Sequence, residues 1–283
     1  MEAATLVAGP AFARRPRAFV RLVGRDAESY LQRMVSNDVA ALAPGASCEA
    51  LLLTAKARVI APLRVVRRAS DDFLLLTELE LGDRVRAELV RSRFAAKVEI
   101  EREEHESVLL LGTEVQAPAG VLAVSNEDYG VPGLELIGES LEVPAGVELD
   151  ADGLEALRIE AGTPRFGREL DDRVLPAEAG LVERAVSFSK GCYPGQEPIA
   201  RLHYRGHANR GLRVLVLEGA EPPEYDAEVR HEGKPVGRLT SAARARDGRL
   251  VGLAYVRVAV PPEAELEVGP TKGRPLHSAS PRP

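Results

Sequence analysis

The chain has 283 residues, of which 45% are hydrophobic, and its 43 acidic and 37 basic residues leave a formal net charge of −6. This length favours about two domains, and the acidic balance argues against nonspecific nucleic-acid binding, which needs a basic surface. The two cysteines, Cys48 and Cys192, indicate no disulfide framework. No apolar run approaches the ~20 residues of a membrane span, and Met1–Arg17 lacks the charge order of a signal peptide. We therefore expect a cytoplasmic protein that binds neither nucleic acid nor membrane.

The first part of the chain predicts an α+β arrangement of short strands and helices. Asp26 can cap a helix in which Ala27, Tyr30, Leu31 and Met34 recur at helical spacing. Thr54 to Arg58 reads as the turn of a strand meander. The other predicted elements are strands at 18–23, 73–77, 96–100 and 107–111 and a helix at 83–94.

The later part predicts loops, one strong helix and a β-barrel. The Pro- and Gly-rich stretch 112–146 predicts loops with short strands at 121–124 and 134–137. A helix should begin at Asp152, with Glu155 in a capping arrangement. Short strands separated by Pro and Gly turns then predict a small barrel, and the tail from Thr271 reads as disordered. The predicted barrel strands are 212–217, 228–231, 236–241, 250–258 and 263–268.

Reactive residues concentrate between Ser189 and Arg210. Tyr193-Pro194-Gly195-Gln196 has the type II turn pattern, because Pro presets φ and Gly accepts a positive φ. The segment from Ile199 to Arg205 predicts a strand that carries Arg201, His203 and Arg205 on one face, which would suit an anion. The alternative for this face is a solvated edge strand.

Cys192 is the candidate functional thiol, and Lys190 is the candidate group that tunes it. Extended backbone would place both side chains on one face, where an ammonium group favours the reactive thiolate. A small buried cysteine without reactivity is the alternative. Metal binding by Cys192, His203 and His207 is disfavoured, because three ligands at this spacing do not make a typical site.

The motif around this cysteine resembles that of a known family. Lys190-Gly191-Cys192-Tyr193-Pro194-Gly195-Gln196-Glu197 is similar to the K-G-C-Y-x-G-Q-E motif of the YgfZ family. Those folate-binding proteins serve iron-sulfur enzymes and are related to the aminomethyltransferase, or T-protein, of the glycine cleavage system.

Further segments carry the same resemblance over nearly the whole chain. Three of them are Tyr30 to Val39, the L-R-I-E-A-G stretch from Leu157 to Gly162, and the G-L-A-Y-V-R stretch that begins at Gly252. The loop from Thr54 to Arg58 resembles L-T-x-K-G-R with Ala57 in place of glycine, so we expect that a positive φ there would carry an energetic cost. Ala61 and Pro62 replace the Asp-Asp pair of the T-protein, which removes the expected acid/base group and counts against aminomethyl transfer.

The resemblance implies an α+β, aminomethyltransferase-like ring of three lobes around a central channel. The expected boundaries are 1–48 with 113–205 for a discontinuous first lobe that binds folate, and 49–112 for a second lobe. Residues 206–270 should form the C-terminal barrel and 271–283 a disordered tail. A monomer is expected.

The resemblance also implies tetrahydrofolate or a one-carbon derivative as cofactor, and iron-sulfur client enzymes or assembly proteins as partners. Glu160 would hold the pterin, which a carboxylate suits because it accepts two parallel hydrogen bonds. Arg201 and Arg205 would meet the glutamate tail of the folate. The remaining predicted folate-binding residues are Tyr193, Gln196 and Glu197.

Three other functions remain open from the sequence. One is a folate-dependent aminomethyltransferase or demethylase, and another is a thiol redox protein that acts through Cys192 without folate. The third is an interaction protein whose channel has decayed. The predicted role in assembly or repair of iron-sulfur clusters differs from all three in needing both a folate site and the thiol.

Overall fold

The computed structural model describes residues 11–112, 117–142 and 146–276. Its first sheet is five-stranded, with the order β3-β4-β5-β2-β6, and two helices pack on one face. Tyr30 and Leu31 of the first helix and Leu89 of the second enter one apolar core with side chains of the sheet. The elements are β2 (Arg17–Val23), α1 (Ala27–Met34), β3 (Ser47–Leu53), β4 (Val59–Ala69), β5 (Asp72–Glu78), α2 (Gly82–Arg91) and β6 (Glu99–Glu103).

A second five-stranded sheet has the order β10-β1-β7-β9-β8. Successive residues of its strand β7 alternate between two apolar clusters, as the pleat requires: Leu110 packs with Phe12, whereas Leu109 packs with Tyr129 and Leu157. Its elements, with the helix that covers it, are β1 (Ala11–Arg14), β7 (Glu106–Leu111), β8 (Leu122–Asn126), β9 (Gly133–Gly138), β10 (Val147–Glu148) and α3 (Ala151–Glu160).

The C-terminal part is a closed six-stranded barrel, as predicted. Strand β16 pairs with both β11 and β15 and so closes the barrel. The prediction of a disordered tail from Thr271 is therefore wrong for 271–275, while 277–283 lie outside the described residues. The barrel strands are β11 (Arg210–Leu217), β12 (Glu228–His231), β13 (Lys234–Arg244), β14 (Leu250–Arg257), β15 (Leu266–Val268) and β16 (Thr271–Pro275).

The strand pairings do not follow the lobe boundaries expected from the resemblance. Strand β2, expected in the first lobe, pairs with β5 and β6 of the second. Strand β7, expected in the second lobe, pairs with β1 and β9. The chain crosses between the two sheets at residues 15–16, because β1 and β2 follow each other directly but belong to different sheets. It crosses back at residues 104–105, between β6 and β7.

Helix α3 lies where the second sheet meets the barrel. Leu157 packs against the sheet, whereas Ile159 packs against Leu253 of the barrel. Its N-cap is Asp150, whose Oδ1 accepts a hydrogen bond from Gly153 N at 2.8 Å, so the helix begins slightly earlier than predicted. Two short helices follow, α4 (Val182–Ala185) and α5 (Gln196–Arg205). No helix in the described ranges is long and apolar enough to cross a membrane.

Candidate functional site

The predicted type II turn is present and fixes the start of α5. Gly195 has a φ of +85°, and Gln196 N donates to Tyr193 O at 3.3 Å. A Cβ on Gly195 would lie 2.7 Å from Thr54 O and 2.9 Å from the Cα of Ala57. Glycine is therefore required twice, once for the backbone conformation and once for close contact with the turn between β3 and β4.

The turn that Gly195 contacts keeps a left-handed residue. Ala57 has a φ of +58° and is fully buried. The turn therefore keeps a positive φ although alanine stands in place of glycine, and the expected energetic cost applies. Alanine adopts this conformation at a cost of about 1–2 kcal/mol, because the surrounding packing holds the turn.

Lys190 anchors the cysteine loop to the end of α1. Its Nζ donates to the carbonyl oxygens of Gln32, Val35 and Asn37 at 2.6, 2.6 and 2.8 Å. An ammonium group has three N–H donors, and these three carbonyls use them all. Burial lowers the pKa of Lys190 to about 8, so the group remains mostly protonated at neutral pH. This geometry does not support the predicted role as the tuner of Cys192.

The segment after α1 joins the same assembly. Ser36 Oγ donates to Ala185 O at 2.5 Å and accepts from Leu51 N at 2.8 Å, while Asn37 Nδ2 donates to Glu49 O at 2.7 Å. Segments that are remote in sequence, around 36, 54 and 190, therefore meet in one structural unit. These segments position the loop through hydrogen bonds and close contacts with backbone atoms.

Cys192 itself is exposed at the surface of this unit. Its neighbour Tyr193 is buried in an apolar cluster with Ile199 and Tyr255, and burial raises the pKa of Tyr193 to about 12. The Lys190 Nζ lies 5.2 Å from the centroid of the Tyr193 ring. Tyr193 thus packs under the loop and leaves the thiol accessible to solvent.

The segment predicted as a strand after the turn is the helix α5, so that prediction is wrong. Gln196, Glu197, Ala200 and Leu202 are good helix formers, and Pro198 is tolerated in the first turn of a helix. Period-two alternation of polar and apolar residues was too short to decide between helix and strand.

In the helix, Arg201 and Arg205 lie one turn apart on the exposed side. His203 points elsewhere and stacks on Phe188 with ring centroids 4.1 Å apart. The predicted shared face of Arg201, His203 and Arg205 therefore does not form.

A central cavity of about 300 Å³ lies between the β1–β2 junction, β4 and α3. Its wall combines apolar groups such as Leu63 and Leu154 with seven arginines and five acidic residues. Pro62 lies on this wall beside the buried Ala61. The position at which the resemblance expects an aspartate is thus in the cavity but carries no carboxylate.

Ion pairs between elements hold the charged wall in place. Arg184 Nη2 donates to Glu49 Oε1 and to Asp128 Oδ1, each at 2.6 Å. Burial alone would raise the pKa of Asp128, but Arg64, Arg15 and Arg184 lower it to about 2. The Asp128 carboxylate therefore stays ionised at neutral pH, and the wall is a preformed array of hydrogen-bonding groups.

Arg158 joins the cavity to the barrel. It makes a two-pronged contact with Glu155 at 2.9 and 2.6 Å, and it also donates to Glu169 Oε2 at 2.9 Å and Ser241 Oγ at 2.8 Å. The helical spacing predicts no inward role for Arg158, because the position of a residue on a helix does not reveal partners that come from distant elements. Together these contacts fix the orientation of the Glu155 carboxylate on the cavity wall.

Three buried polar atoms of residues on the wall lack a hydrogen-bond partner in the described part of the chain: Arg15 Nη1, Arg17 Nε and Thr163 Oγ1. The two arginine atoms have carboxylates within 3.8 Å, whereas the uncharged Thr163 hydroxyl has no ion pair to satisfy it. The Thr163 Oγ1 is buried and makes no hydrogen bond within the described part of the chain, and Thr163 lines the central cavity. Buried polar groups are nearly always paired, so this hydroxyl is available to a ligand.

Glu160 lies outside the central cavity. It lines a second cavity of about 380 Å³ on the other side of α3, together with Leu157 and Arg244. Its Oε1 accepts from Arg249 Nη2 at 3.2 Å, and burial raises the pKa of Glu160. The glutamate of this helix that faces the central cavity is Glu155, which sequence reasoning treated only as a capping residue.

The other predicted folate-binding residues lie in neither of these two cavities. They are Tyr193, Gln196, Glu197, Arg201 and Arg205. Their predicted contact with folate is therefore not supported by the position of α5. Within the described ranges, no group of three or more His, Cys, Asp or Glu side chains is arranged to hold a metal ion.

The fold defined by these sheets and the barrel is that of the aminomethyltransferases. The chain superposes on the crystal structure of glycine cleavage system aminomethyltransferase T from Bartonella henselae with a TM-score of 0.83, covering 98% of this chain and 87% of that chain at 19% identity. No family model matches the sequence.

Sequence relatives narrow the class. A protein named tRNA-modifying protein YgfZ from Enterobacter sp. (strain 638) is 28% identical over 267 residues, covering 83% of this chain and 81% of the relative. Its counterpart from Cronobacter sakazakii is 26% identical with 83% and 80% coverage. An uncharacterized protein of Haemophilus influenzae is 24% identical over 254 residues, with 88% of both chains covered. The chain is thus similar to proteins named YgfZ over more than four fifths of its length, in agreement with the resemblance that its sequence carries.

Proposed function

We propose that this protein binds tetrahydrofolate or a one-carbon derivative in the central cavity and supports assembly or repair of iron-sulfur clusters in client enzymes. The observation that carries the folate proposal is the unpaired hydroxyl of Thr163 on the wall of this cavity. A cavity of about 300 Å³ is of the size that holds a small organic ligand. When bound, the folate supplies one-carbon chemistry.

The residues of the wall fit a pterin with its apolar rings and polar edge. Leu63 and Leu154 offer apolar contact. Glu155 Oε1 accepts one hydrogen bond, from Arg158, and a carboxylate oxygen has room for another. Glu155 thus replaces Glu160 as the group proposed to accept hydrogen bonds from the ligand, with Thr163 as a second contact.

The absence of a carboxylate at Ala61 and Pro62 supports binding without aminomethyl transfer. Pro62 lies on the cavity wall, so an acid there would have reached the ligand. A proline side chain neither gives nor takes a proton. We therefore propose that the cavity holds and orients folate, and that Cys192 serves the client at the outer surface.

The name of the relatives refers to tRNA modification. We propose that this chain contributes to such modification through an iron-sulfur client and not by holding tRNA itself. Its net charge of −6 argues against a general RNA-binding surface. This role belongs to the cytoplasm, where thiols are kept reduced.

A thiol redox function without folate is the second candidate, favoured by the exposure of Cys192. In that case a client would depend on the thiol alone. Substitutions in the cavity would then leave client activity unchanged, which separates the two proposals.

The test is calorimetric titration of the purified protein with tetrahydrofolate under reducing, oxygen-free conditions. We expect micromolar binding, about −8 kcal/mol. Thr163→Val removes only the unpaired hydroxyl, so it should weaken binding about fivefold to tenfold without lowering the melting temperature. Absence of binding to the wild type would overturn the folate proposal.

Two matched variants on α3 show which of the two cavities binds the ligand. Glu155→Gln should weaken binding about tenfold or more, whereas Glu160→Gln should leave it unchanged. Thermal unfolding of both variants controls for the contacts of Glu155 with Arg158 and Arg165. If only Glu160→Gln weakens binding, the ligand occupies the second cavity and the proposed site is wrong.

A further inference from the structure

Helix α5 presents an exposed face that its own packing does not explain. Ile199 is the only buried residue among its ten, and Tyr204 is 67% exposed. Arg201, Tyr204 and Arg205 are exposed, and their spacing of three and four residues places them on one side of the helix.

The two arginines of this face have no protein partner. In the described part of the chain, neither Arg201 nor Arg205 makes an ion pair or a side-chain hydrogen bond, whereas the next arginine, Arg210, pairs with Glu178 at 3.0 Å. Like charges four residues apart weaken a helix by about 0.2–0.5 kcal/mol. Arg205 lies in the last turn of α5, where the helix dipole favours a cation, but this does not account for Arg201, which lies one turn earlier.

Aromatic rings lie beside the face and pack against Tyr204, although His203 is not on the side of the helix that carries Arg201 and Arg205. His203 stacks on Phe188 at 4.1 Å, and its ring centroid lies 4.8 Å from that of Tyr204. Exposed tyrosine and arginine are the residue types that most often carry binding energy at protein interfaces. Rings that already pack against one another also lose little conformational freedom when a partner binds.

The charge of the surface selects an acidic partner. Lys56 is exposed on the β3–β4 turn that Gly195 contacts, so it lies near the start of α5. The helix carries one acidic residue, Glu197, against the positive charges of Arg201 and Arg205, and Lys56 adds a third positive charge nearby. This local excess of positive charge contrasts with the net charge of −6 of the whole chain. A site for RNA usually neutralises more phosphates than three cations can, so a protein surface with a few carboxylates fits better.

We propose that this exposed face of α5, formed by Arg201, Tyr204 and Arg205 with Lys56 at its edge, docks an acidic surface of the iron-sulfur client protein. The arginines bind carboxylates in two-pronged contacts, and Tyr204 packs against the apolar part of the same surface. Docking there brings the client beside the loop of Cys192. The identity of the partner as a client rests on the proposed function, but the docking surface does not use the folate cavity.

The test is photocrosslinking in the cells that produce the protein, with p-benzoylphenylalanine in place of Tyr204 and, as a control position, of Tyr225 on the barrel side. The crosslinked peptides are sequenced by mass spectrometry. The charge variant is Arg201→Glu with Arg205→Glu, and its matched control is Lys97→Glu with Lys234→Glu, which makes the same charge change at exposed lysines elsewhere. Each variant is also titrated with tetrahydrofolate.

We expect crosslinks from position 204 to an acidic segment of an iron-sulfur protein, reduced at least about tenfold by the arginine variant and retained in the lysine control. Crosslinks to RNA, to a second copy of this chain or to a segment without carboxylates would overturn the proposal. So would equal crosslinking from positions 204 and 225, or equal loss in both charge variants. Folate binding should be unchanged in both variants, so failure of docking is distinguishable from failure of the folate site.

Discussion

The central cavity and the Cys192 loop are built by different means. In the cavity, side chains hold one another: Arg184 bridges Glu49 and Asp128, and Arg158 joins Glu155 to the barrel. In the loop, Lys190 and Gly195 contact backbone atoms of other elements. The cavity wall therefore presents polar groups in fixed positions, whereas backbone anchoring of the loop leaves the Cys192 side chain exposed.

The largest expected effect is the loss of the lysine anchor. Lys190→Met leaves three buried carbonyl groups without their donor, so we expect a loss of about 4 kcal/mol in the free energy of unfolding, measured by urea denaturation. Lys56→Met, at an exposed lysine of the neighbouring turn, should change it by less than about 0.5 kcal/mol. Equal effects of the two variants would show that backbone anchoring does not hold the loop.

The close approach of Gly195 predicts the next effect. Gly195→Ala places a Cβ against backbone atoms at a φ of +85°, which should destabilise the protein by about 3 kcal/mol. Gly191 in the same loop has open space around its Cβ position, so Gly191→Ala should stay within about 0.5 kcal/mol. Urea denaturation measures the free energy of unfolding of both variants. An equally small loss in Gly195→Ala would contradict the close contact of Gly195 with the β3–β4 turn.

The ion pairs of the cavity predict a pH dependence. The pKa of Asp128 falls from 3.8 to about 2 on folding, which corresponds to about 2.5 kcal/mol of stability that is present above the unfolded pKa and lost as pH falls toward the folded pKa. Asp128→Asn should therefore cost about 2.5 kcal/mol at neutral pH. The difference from wild type should narrow between about pH 4 and pH 2.

The control for this prediction is the exposed Asp172. Asp172→Asn should cost less than about 0.5 kcal/mol at neutral pH, because this side chain is exposed and makes no ion pair in the described part of the chain. Urea denaturation of both variants at several pH values gives the comparison. A cost of Asp128→Asn that stays constant down to acid pH would mean that the arginines do not hold this carboxylate ionised.

The smallest effect on stability is expected at the thiol. Cys192 is exposed, so Cys192→Ala should change the free energy of unfolding by less than about 0.5 kcal/mol while client iron-sulfur enzyme activity in cells falls. Burial raises the pKa of Cys48 to about 12, so Cys48→Ala should retain client activity, and iodoacetamide should label Cys192 and not Cys48. Full client activity in Cys192→Ala would remove the thiol from the proposed function.

The parts of the structure that local chemistry controls were predictable. The type II turn follows from Pro194 and Gly195, because these two residues restrict or widen φ by their covalent structure. Helix α1 follows from the spacing of its apolar residues, and the barrel from regular short strands between turns. Predictions failed where the periodicity of polar and apolar residues disagreed with helix propensity. In α5 a short alternation of polar and apolar residues predicted a strand, but the good helix formers of the segment outweighed it.

The sequence by itself therefore determined the resemblance to YgfZ proteins, the turn at Pro194 and Gly195 and the main strands, and it identified Cys192 as the candidate functional thiol. Only the tertiary structure decided which side of α3 faces the central cavity, so that Glu155 lines it and Glu160 does not. It also assigned the Lys190 ammonium to carbonyls more than 150 residues away in sequence. The physical reason is that hydrogen-bond partners and cavity walls come from the packing of elements that are distant in sequence. Neither the periodicity of apolar residues nor helix propensity specifies that packing.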